Sequence, residues 1–153
     1  MGNPSERVIT SINPLDLFRN HLTLDAFELV SRAFAIAGVN RRPLDSGDLL
    51  QTLLDESEMV GRLISNHGVS PSALSQSLQK MRESERHPDS VARNSKNFSM
   101  QIQRILRHSD EPLTPLDLLG RLLEEDCLAA STLAAMGVDT KQLLKETLGV
   151  EPL

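Results

Sequence analysis

The side chains that most often carry catalysis or bind metal ions are few in this chain of 153 residues. Two histidines at i and i+3 or i+4 of a helix can share one metal ion, and no pair of histidines here has that spacing. The four histidines are His21, His67, His87 and His108. No G-x-S-x-G motif marks a nucleophile, and no G-x-x-x-x-G-K-S/T or G-x-G-x-x-G motif marks a loop that holds phosphates. The sequence therefore predicts a protein that is not an enzyme and that holds no metal and no cofactor.

Cys127 is the single cysteine, so it has no partner for an internal disulfide. A lone thiol of this kind favours a reducing compartment. Cys127 stands between Asp126 and Leu128 in a run that we predict to be helical. We expect it to be a buried structural thiol.

Charge and composition argue against nucleic-acid and membrane partners. The formal net charge is −5, and the chain has four Phe but neither Trp nor Tyr. It therefore lacks the basic stripe and the aromatic platforms that nucleic-acid-binding domains use. No apolar run approaches the ~20 residues of a membrane span, and the N-terminus lacks the positive start and apolar middle of a signal peptide. We expect a cytoplasmic protein with a mostly aliphatic core.

The strongest pattern is an internal repeat. The segment 43–78 matches the segment 112–147 without a gap, at an offset of 69 residues (112 − 43). The identical residues are Pro43 and Pro112, Leu44 and Leu113, Asp48 and Asp117, Leu49-Leu50 and Leu118-Leu119, Leu53-Leu54 and Leu122-Leu123, Glu56 and Glu125, Gly68-Val69 and Gly137-Val138, and Leu74 and Leu143. A register held over this length is not expected by chance.

Both copies open with the residue types that start a helix. Asp45 and Thr114 are N-cap types, and each is followed three places later by an acid, Asp48 or Asp117. Such an acid can accept a hydrogen bond from the backbone N–H of the cap residue. In the second copy Pro115 adds a first-turn proline, which needs no hydrogen-bond acceptor there.

After these caps the leucines recur at i, i+1, i+4 and i+5, which makes one broad apolar stripe on a helix. Gly68 and Gly137 then stand where a left-handed residue ends a helix, each followed by a valine that can make the apolar contact of such a cap. No alternation of β-branched and aromatic residues of strand length occurs. The sequence predicts an all-α fold.

A pass along the chain gives the expected elements and boundaries. We predict a short helix or turn after Asn13, a long helix from the Thr23 cap to Gly38, and helices at 46–55, 58–67 and 70–82. In the second half, Phe98, Ile102, Ile105 and Leu106 predict a helix that ends near 110–112, and Asp139 starts another. The predicted organisation is an N-terminal extension at 1–21, a first repeat at 22–82, a polar linker at 83–96, a second repeat at 97–149 and a tail at 150–153.

The doubled pattern resembles the N-terminal domain of the Clp/Hsp100 AAA+ chaperones. That family usually shows T-P-E-H-L-L-x-A-L-L, and residues 114–123 read T-P-L-D-L-L-G-R-L-L. The resemblance covers roughly residues 22–149. It implies two four-helix repeats related by a pseudo-twofold axis.

The resemblance also implies a function: a protein-binding domain that recruits polypeptide substrates or an adaptor to a Clp/Hsp100 AAA+ unfoldase or protease, in cis or in trans. The alternative is a scaffold or regulatory subunit that docks onto a Clp-type or secretion-associated ATPase complex without handling substrate. Partner binding is expected at the starts of the two matched helices, with Asp48, Leu116 and Asp117 as candidate residues.

Two further features bear on the partner. Some family members carry a glutamate that recognises phosphorylated arginine, and the matching positions here are Gly47 and Leu116. Neither can pair with a guanidinium group, so we expect apolar or acidic segments to be preferred at these helix N-termini. The acidic run 124–126 could dock a basic partner, although a solvated helix end is the simpler account.

Overall fold

The computed structural model describes residues 13–84, 89, 97–107 and 110–149. Within these ranges the regular secondary structure is entirely helical, and the segments between the helices form two isolated β-bridges, which confirms the predicted all-α class. The elements are a 3-10 helix (Pro14–His21) and helices α1 (Leu24–Val39), α2 (Ser46–Glu56), α3 (Glu58–Ser65), α4 (Pro71–Glu83), α5 (Met100–Ile105), α6 (Pro115–Glu124), α7 (Leu128–Ala135) and α8 (Thr140–Gly149). None of the described helices combines the length and the apolar character needed to cross a membrane.

Several predicted features lie outside the described residues. They are residues 1–12 of the N-terminal extension, most of the polar linker, the tail at 150–153, and two of the four histidines, His87 and His108. Of the linker at 83–96, the structure describes Glu83, Ser84 and Asp89.

The helix starts of α2 and α6 follow the predicted caps. Asp45 accepts from the backbone N–H of Asp48 at 2.8 Å, and Thr114 accepts from that of Asp117 at 3.1 Å. Each acid returns the bond by accepting from the backbone N–H of the cap residue. Two capping boxes therefore start the two matched helices.

The two predicted left-handed glycines are also confirmed. Gly68 has φ +82° and Gly137 has φ +88°, which are values that side chains with a Cβ rarely adopt. The following residues, Val69 and Val138, are buried. Each glycine therefore ends one helix and allows a valine to enter the core before the next helix starts.

Two predicted details of the second half are wrong. Helix α5 ends at Ile105, well before 110–112, and Phe98 precedes it because the Ser99 hydroxyl caps the helix by accepting from the N–H of Ile102 at 3.1 Å. Cys127 is not within a helical run: it is the residue before α7 and has an extended backbone (φ −146°, ψ 168°). The Cys127 side chain is nevertheless buried, as expected.

The leucine stripes of α2 and α6 form the centre of the core, together with α1, α4 and α7. Six of their eight leucines are at most about 1% exposed, namely Leu49, Leu50, Leu53, Leu118, Leu119 and Leu122, while Leu54 is 6% exposed and Leu123 is half-buried. Helix α2 contacts α1, α3, α4, α6 and α7, so both matched segments contribute to one apolar interior. The core is mostly aliphatic; the buried Phe98 lies against the rings of Phe18 and Phe34, which are partly buried.

Two β-bridges connect the segments that precede four of the helices. Leu22, before α1, pairs with Leu113, before α6, and Leu44, before α2, pairs with Phe98, before α5. Both bridges have the same pattern of two hydrogen bonds. In the first, Thr23 N donates to Leu113 O (3.0 Å) and Leu113 N donates to His21 O (2.8 Å). In the second, Ser99 N donates to Leu44 O (2.9 Å) and Leu44 N donates to Asn97 O (2.8 Å). The two halves of the chain are thereby tied at both matched helix starts.

Candidate functional site

The two matched helix starts differ in their exposure. Asp48 at the start of α2 is 3% exposed, whereas Asp117 at the start of α6 is exposed and Leu116 beside it is half-buried. Asp48 and Asp117 occupy equivalent positions in the sequence repeat, but their exposure in the structure differs. Of these two helix starts, the α6 start is the one whose first-turn residues lie at the surface.

The start of α2 is closed by an internal ion-pair network. Arg82 from α4 donates to both oxygens of Asp45 at 2.8 and 2.9 Å and to Asp48 at 3.2 Å. Arg42 donates its Nε to Asp48 at 3.2 Å. A cavity of about 410 Å³ lies beside Asp48, but this carboxylate is already bound by two guanidinium groups. The structure thus places Asp48, one of the predicted partner-binding residues, in an internal ion-pair network where it is almost fully buried.

Burial and charge shift the pKa values of these two acids in opposite directions. Burial alone would raise the pKa of Asp45, but the hydrogen bonds and the positive charge of Arg82 outweigh it, so the pKa of Asp45 is lowered. Burial raises the pKa of Asp48, and the neighbouring Asp45 charge adds to this effect against the hydrogen bond from Arg42. Asp45 is thus the member of the pair that holds its negative charge most firmly.

Asp89 closes the α2 start from another side, although it belongs to the predicted polar linker. Its carboxylate accepts from the Ser46 N–H and hydroxyl at 2.8 Å each, from the Ser99 hydroxyl at 2.9 Å and from the Leu128 N–H at 2.7 Å. These donors belong to the first turns or the N-cap of α2, α5 and α7, where backbone N–H groups lack partners within the helix. One carboxylate thereby joins three helix N-termini, and no spacing in the sequence indicates it.

Gly47, in the first turn of α2, is closely surrounded by neighbouring side chains. A Cβ at this position would lie 2.9 Å from Arg82 Nη2, from Leu128 Cδ2 and from Leu78 Cδ2. Any larger side chain here would displace the packing of three neighbours. Glycine at this position is therefore explained by internal packing.

The start of α6 instead lines an open groove of about 940 Å³. Its apolar lining includes Leu113 and Leu116 from the α6 start, Met59 from α3 and Leu148 from α8. Met59 is 49% exposed and Leu148 is 69% exposed. Large apolar side chains are therefore available to a ligand within this groove.

The rim of the same groove is acidic. Asp25, Asp110, Glu111, Asp117 and Glu124 all line it and are exposed. The groove also includes Arg121, whose Nη1 donates to the backbone carbonyls of Ile105 and Arg107 at 3.0 Å each. This guanidinium group thus supplies hydrogen bonds to the end of α5.

The described residues do not assemble a group of metal ligands. Within ranges 13–84, 89, 97–107 and 110–149, no three His, Cys, Asp or Glu residues converge as metal ligands would. Burial raises the pKa of the Cys127 thiol to about 11, so the thiol is protonated at neutral pH. His67 is engaged with Glu146, its Nε2 lying 2.8 Å from a carboxylate oxygen. The groove at the α6 start is therefore the candidate functional site.

Comparisons of this chain with protein-family models, with curated proteins and with solved structures found no match. The resemblance to the Clp/Hsp100 N-terminal domain therefore remains a prediction that depends on the residues of the repeat.

Proposed function

We propose that this protein is a non-catalytic polypeptide-binding module similar to the N-terminal domain of the Clp/Hsp100 chaperones. In this role it recruits polypeptide substrates or an adaptor to an AAA+ unfoldase or protease in the cytoplasm. The chain has no phosphate-binding loop of its own, so the ATPase is supplied in cis or in trans.

The observation that carries this proposal is the groove at the start of α6. Soluble domains rarely leave several large apolar side chains together at a concave surface unless the surface binds a partner. Here Met59, Leu116 and Leu148 come from three different helices and meet in one groove. An extended or helical polypeptide segment presents apolar side chains at intervals that suit such a surface.

The bridge pattern supports the two-repeat arrangement that the resemblance implies. If α1 corresponds to α5 and α2 to α6, the bridge between Leu22 and Leu113 becomes the bridge between Phe98 and Leu44. Under the same correspondence, each hydrogen bond of one bridge matches a hydrogen bond of the other, with donor matching donor and acceptor matching acceptor. Such an exchange is what a pseudo-twofold axis between two four-helix repeats produces.

The proposal is tested by NMR titration of the ¹⁵N-labelled protein with an unfolded model polypeptide. Shifts are expected at the start of α6 and at Met59 and Leu148, with affinity in the ~micromolar range because one small module buries a modest interface. Met59→Ser and Leu148→Ser should weaken binding.

The matched control is Val39→Ser, because Val39 is an equally apolar residue that is 83% exposed and does not line the groove. It lies at the far end of α1, about 21 Å along the helix from Asp25. Equal loss of affinity in all three variants, or shifts confined to residues away from the groove, would exclude this site. Absence of shifts with any polypeptide would favour the scaffold alternative instead.

A further inference from the structure

The groove at the α6 start has a charge that restricts what it can bind. Five carboxylates and one guanidinium group line it, which leaves a formal net charge of −4 within one concavity. The whole chain carries −5. This groove therefore carries an excess of negative charge, and a low-dielectric concavity focuses such a field.

The rim carboxylates are not used for ion pairs inside the fold. Among the described residues, none of the five rim acids takes part in an ion pair; the acids that do are Asp16, Asp45, Asp48, Glu56, Glu58, Glu125 and Glu146. Asp117 uses Oδ2 to accept from the Thr114 N–H at 2.9 Å, which leaves Oδ1 available. The rim therefore offers unpaired negative charge to a ligand.

The arrangement of these acids favours charges spaced along a chain over a single ion. They lie on the α1 start, the segment before α6, and both ends of α6, and no three of them converge on one point within the described residues. Acidic segments would meet like charges, which disfavours association, and nucleic acid would be repelled for the same reason. The helix N-termini alone predict a preference for apolar or acidic segments. The acidic rim of the groove disfavours the acidic segments.

We propose that the groove binds a polypeptide segment that carries both Lys or Arg and large apolar side chains. The inference rests on the proposed polypeptide-binding function and names its ligand class. Apolar side chains of the segment contact Leu116, Met59 and Leu148, and its cationic groups pair with the rim acids. Long cationic side chains suit this geometry because their aliphatic stems cover apolar surface while their charged ends reach the rim.

The test uses three peptides of about twelve residues that share the same leucine positions and carry Lys, Gln or Glu at all other positions. Binding to the full chain is measured by fluorescence anisotropy. The Lys peptide should bind at least about tenfold more tightly than the Gln peptide and the Glu peptide most weakly. Affinity for the Lys peptide should fall as salt rises from about 50 to 300 mM, because exposed charges are screened.

Variants then locate the effect. Asp110→Asn combined with Glu111→Gln should reduce affinity for the Lys peptide about threefold to thirtyfold. Asp55→Asn combined with Glu83→Gln removes the same charge from exposed positions that do not line the groove, and it should leave affinity within about twofold. Circular dichroism of both variants checks that the helices are intact.

The outcomes separate the two proposals. Equal binding of the Lys, Gln and Glu peptides, or tightest binding of the Glu peptide, would overturn the cationic specificity and leave polypeptide binding in place. Equal effects of the two double variants would likewise overturn the groove as the source of specificity. Binding of none of the peptides, together with no NMR shift by an unfolded polypeptide, would overturn both.

Discussion

Replacing Asp89 by alanine tests whether one linker carboxylate holds three helices together. The change removes the acceptor of four hydrogen bonds of 2.7–2.9 Å, from Ser46 N–H and hydroxyl, Ser99 hydroxyl and Leu128 N–H. Ser46 and Leu128 are 0% exposed and Ser99 is 3% exposed, so the donors lose their partner where water has little access.

The expected loss of stability follows from these contacts. A hydrogen bond to a charged group contributes ~1.5–3 kcal/mol, and contributions within one cluster do not add fully. Asp89 is itself half-exposed, so water can replace part of what is lost. We therefore expect Asp89→Ala to lower the free energy of unfolding by ~2–4 kcal/mol, a large part of the ~5–15 kcal/mol that is typical of a domain.

Urea denaturation followed by circular dichroism at 222 nm measures this loss as a lower midpoint with an unchanged slope. Asp126→Ala is the control, because Asp126 is also an aspartate near the start of α7, two residues before Leu128, but its side chain is exposed. This variant should change the free energy of unfolding by less than ~0.5 kcal/mol. Asp89→Asn keeps one acceptor oxygen and should fall between the two. A free energy of unfolding for Asp89→Ala within ~0.5 kcal/mol of wild type would refute the reasoning.

Three further predictions concern the core and the helix ends. Leu50→Ala and Leu119→Ala should each lower the free energy of unfolding by ~2–5 kcal/mol in urea titrations, because both side chains are 0% exposed and leave cavities; losses below ~0.5 kcal/mol for both would contradict this. Gly137→Ala should destabilise by ~1 kcal/mol or more because φ is +88° there, and an unchanged midpoint would exclude the strained cap. The Cys127 thiol has a pKa of about 11 in the fold against 9.0 for the ordinary group. Since the unfolded chain loses this proton first, stability should fall between pH 9 and 11 by up to ~2 kcal/mol. Cys127→Ala should flatten that decline, and parallel pH curves for the two proteins would rule out the thiol as its source.

The features that the sequence determined by itself are local. Asp45 with Asp48 and Thr114 with Asp117 form capping boxes because the donor and the acceptor lie within one turn, so residue type and spacing suffice to place them. Gly68 and Gly137 take positive φ for a reason that belongs to a single residue. The buried leucine stripes follow from helical periodicity alone. These signals together were enough to predict an all-α chain and the bounds of most of its first-half helices.

The features that only the tertiary structure decided depend on groups far apart in the chain. Helix α7 shows the reason: Cys127 makes no side-chain cap, and the first N–H groups of α7 are instead satisfied by Asp89 and by the Ser46 hydroxyl, which accepts from Ala129 at 2.9 Å. A helix start that is capped by distant residues has no capping motif in the nearby sequence. The sequence therefore predicts Cys127 inside a helical run, whereas the structure places it before α7.

The same limit explains why Asp48 and Asp117 could not be distinguished from the sequence. Their helix caps match, since each is the third residue of a capped helix. One difference is local: Arg42 binds Asp48 from six residues earlier, and the matching position holds Glu111. The others are the arrival of Arg82 and Asp89 at the α2 start and of Met59 and Leu148 beside the α6 start. Burial is a property of what packs against a residue, and packing partners from other helices are set only when the whole chain has folded.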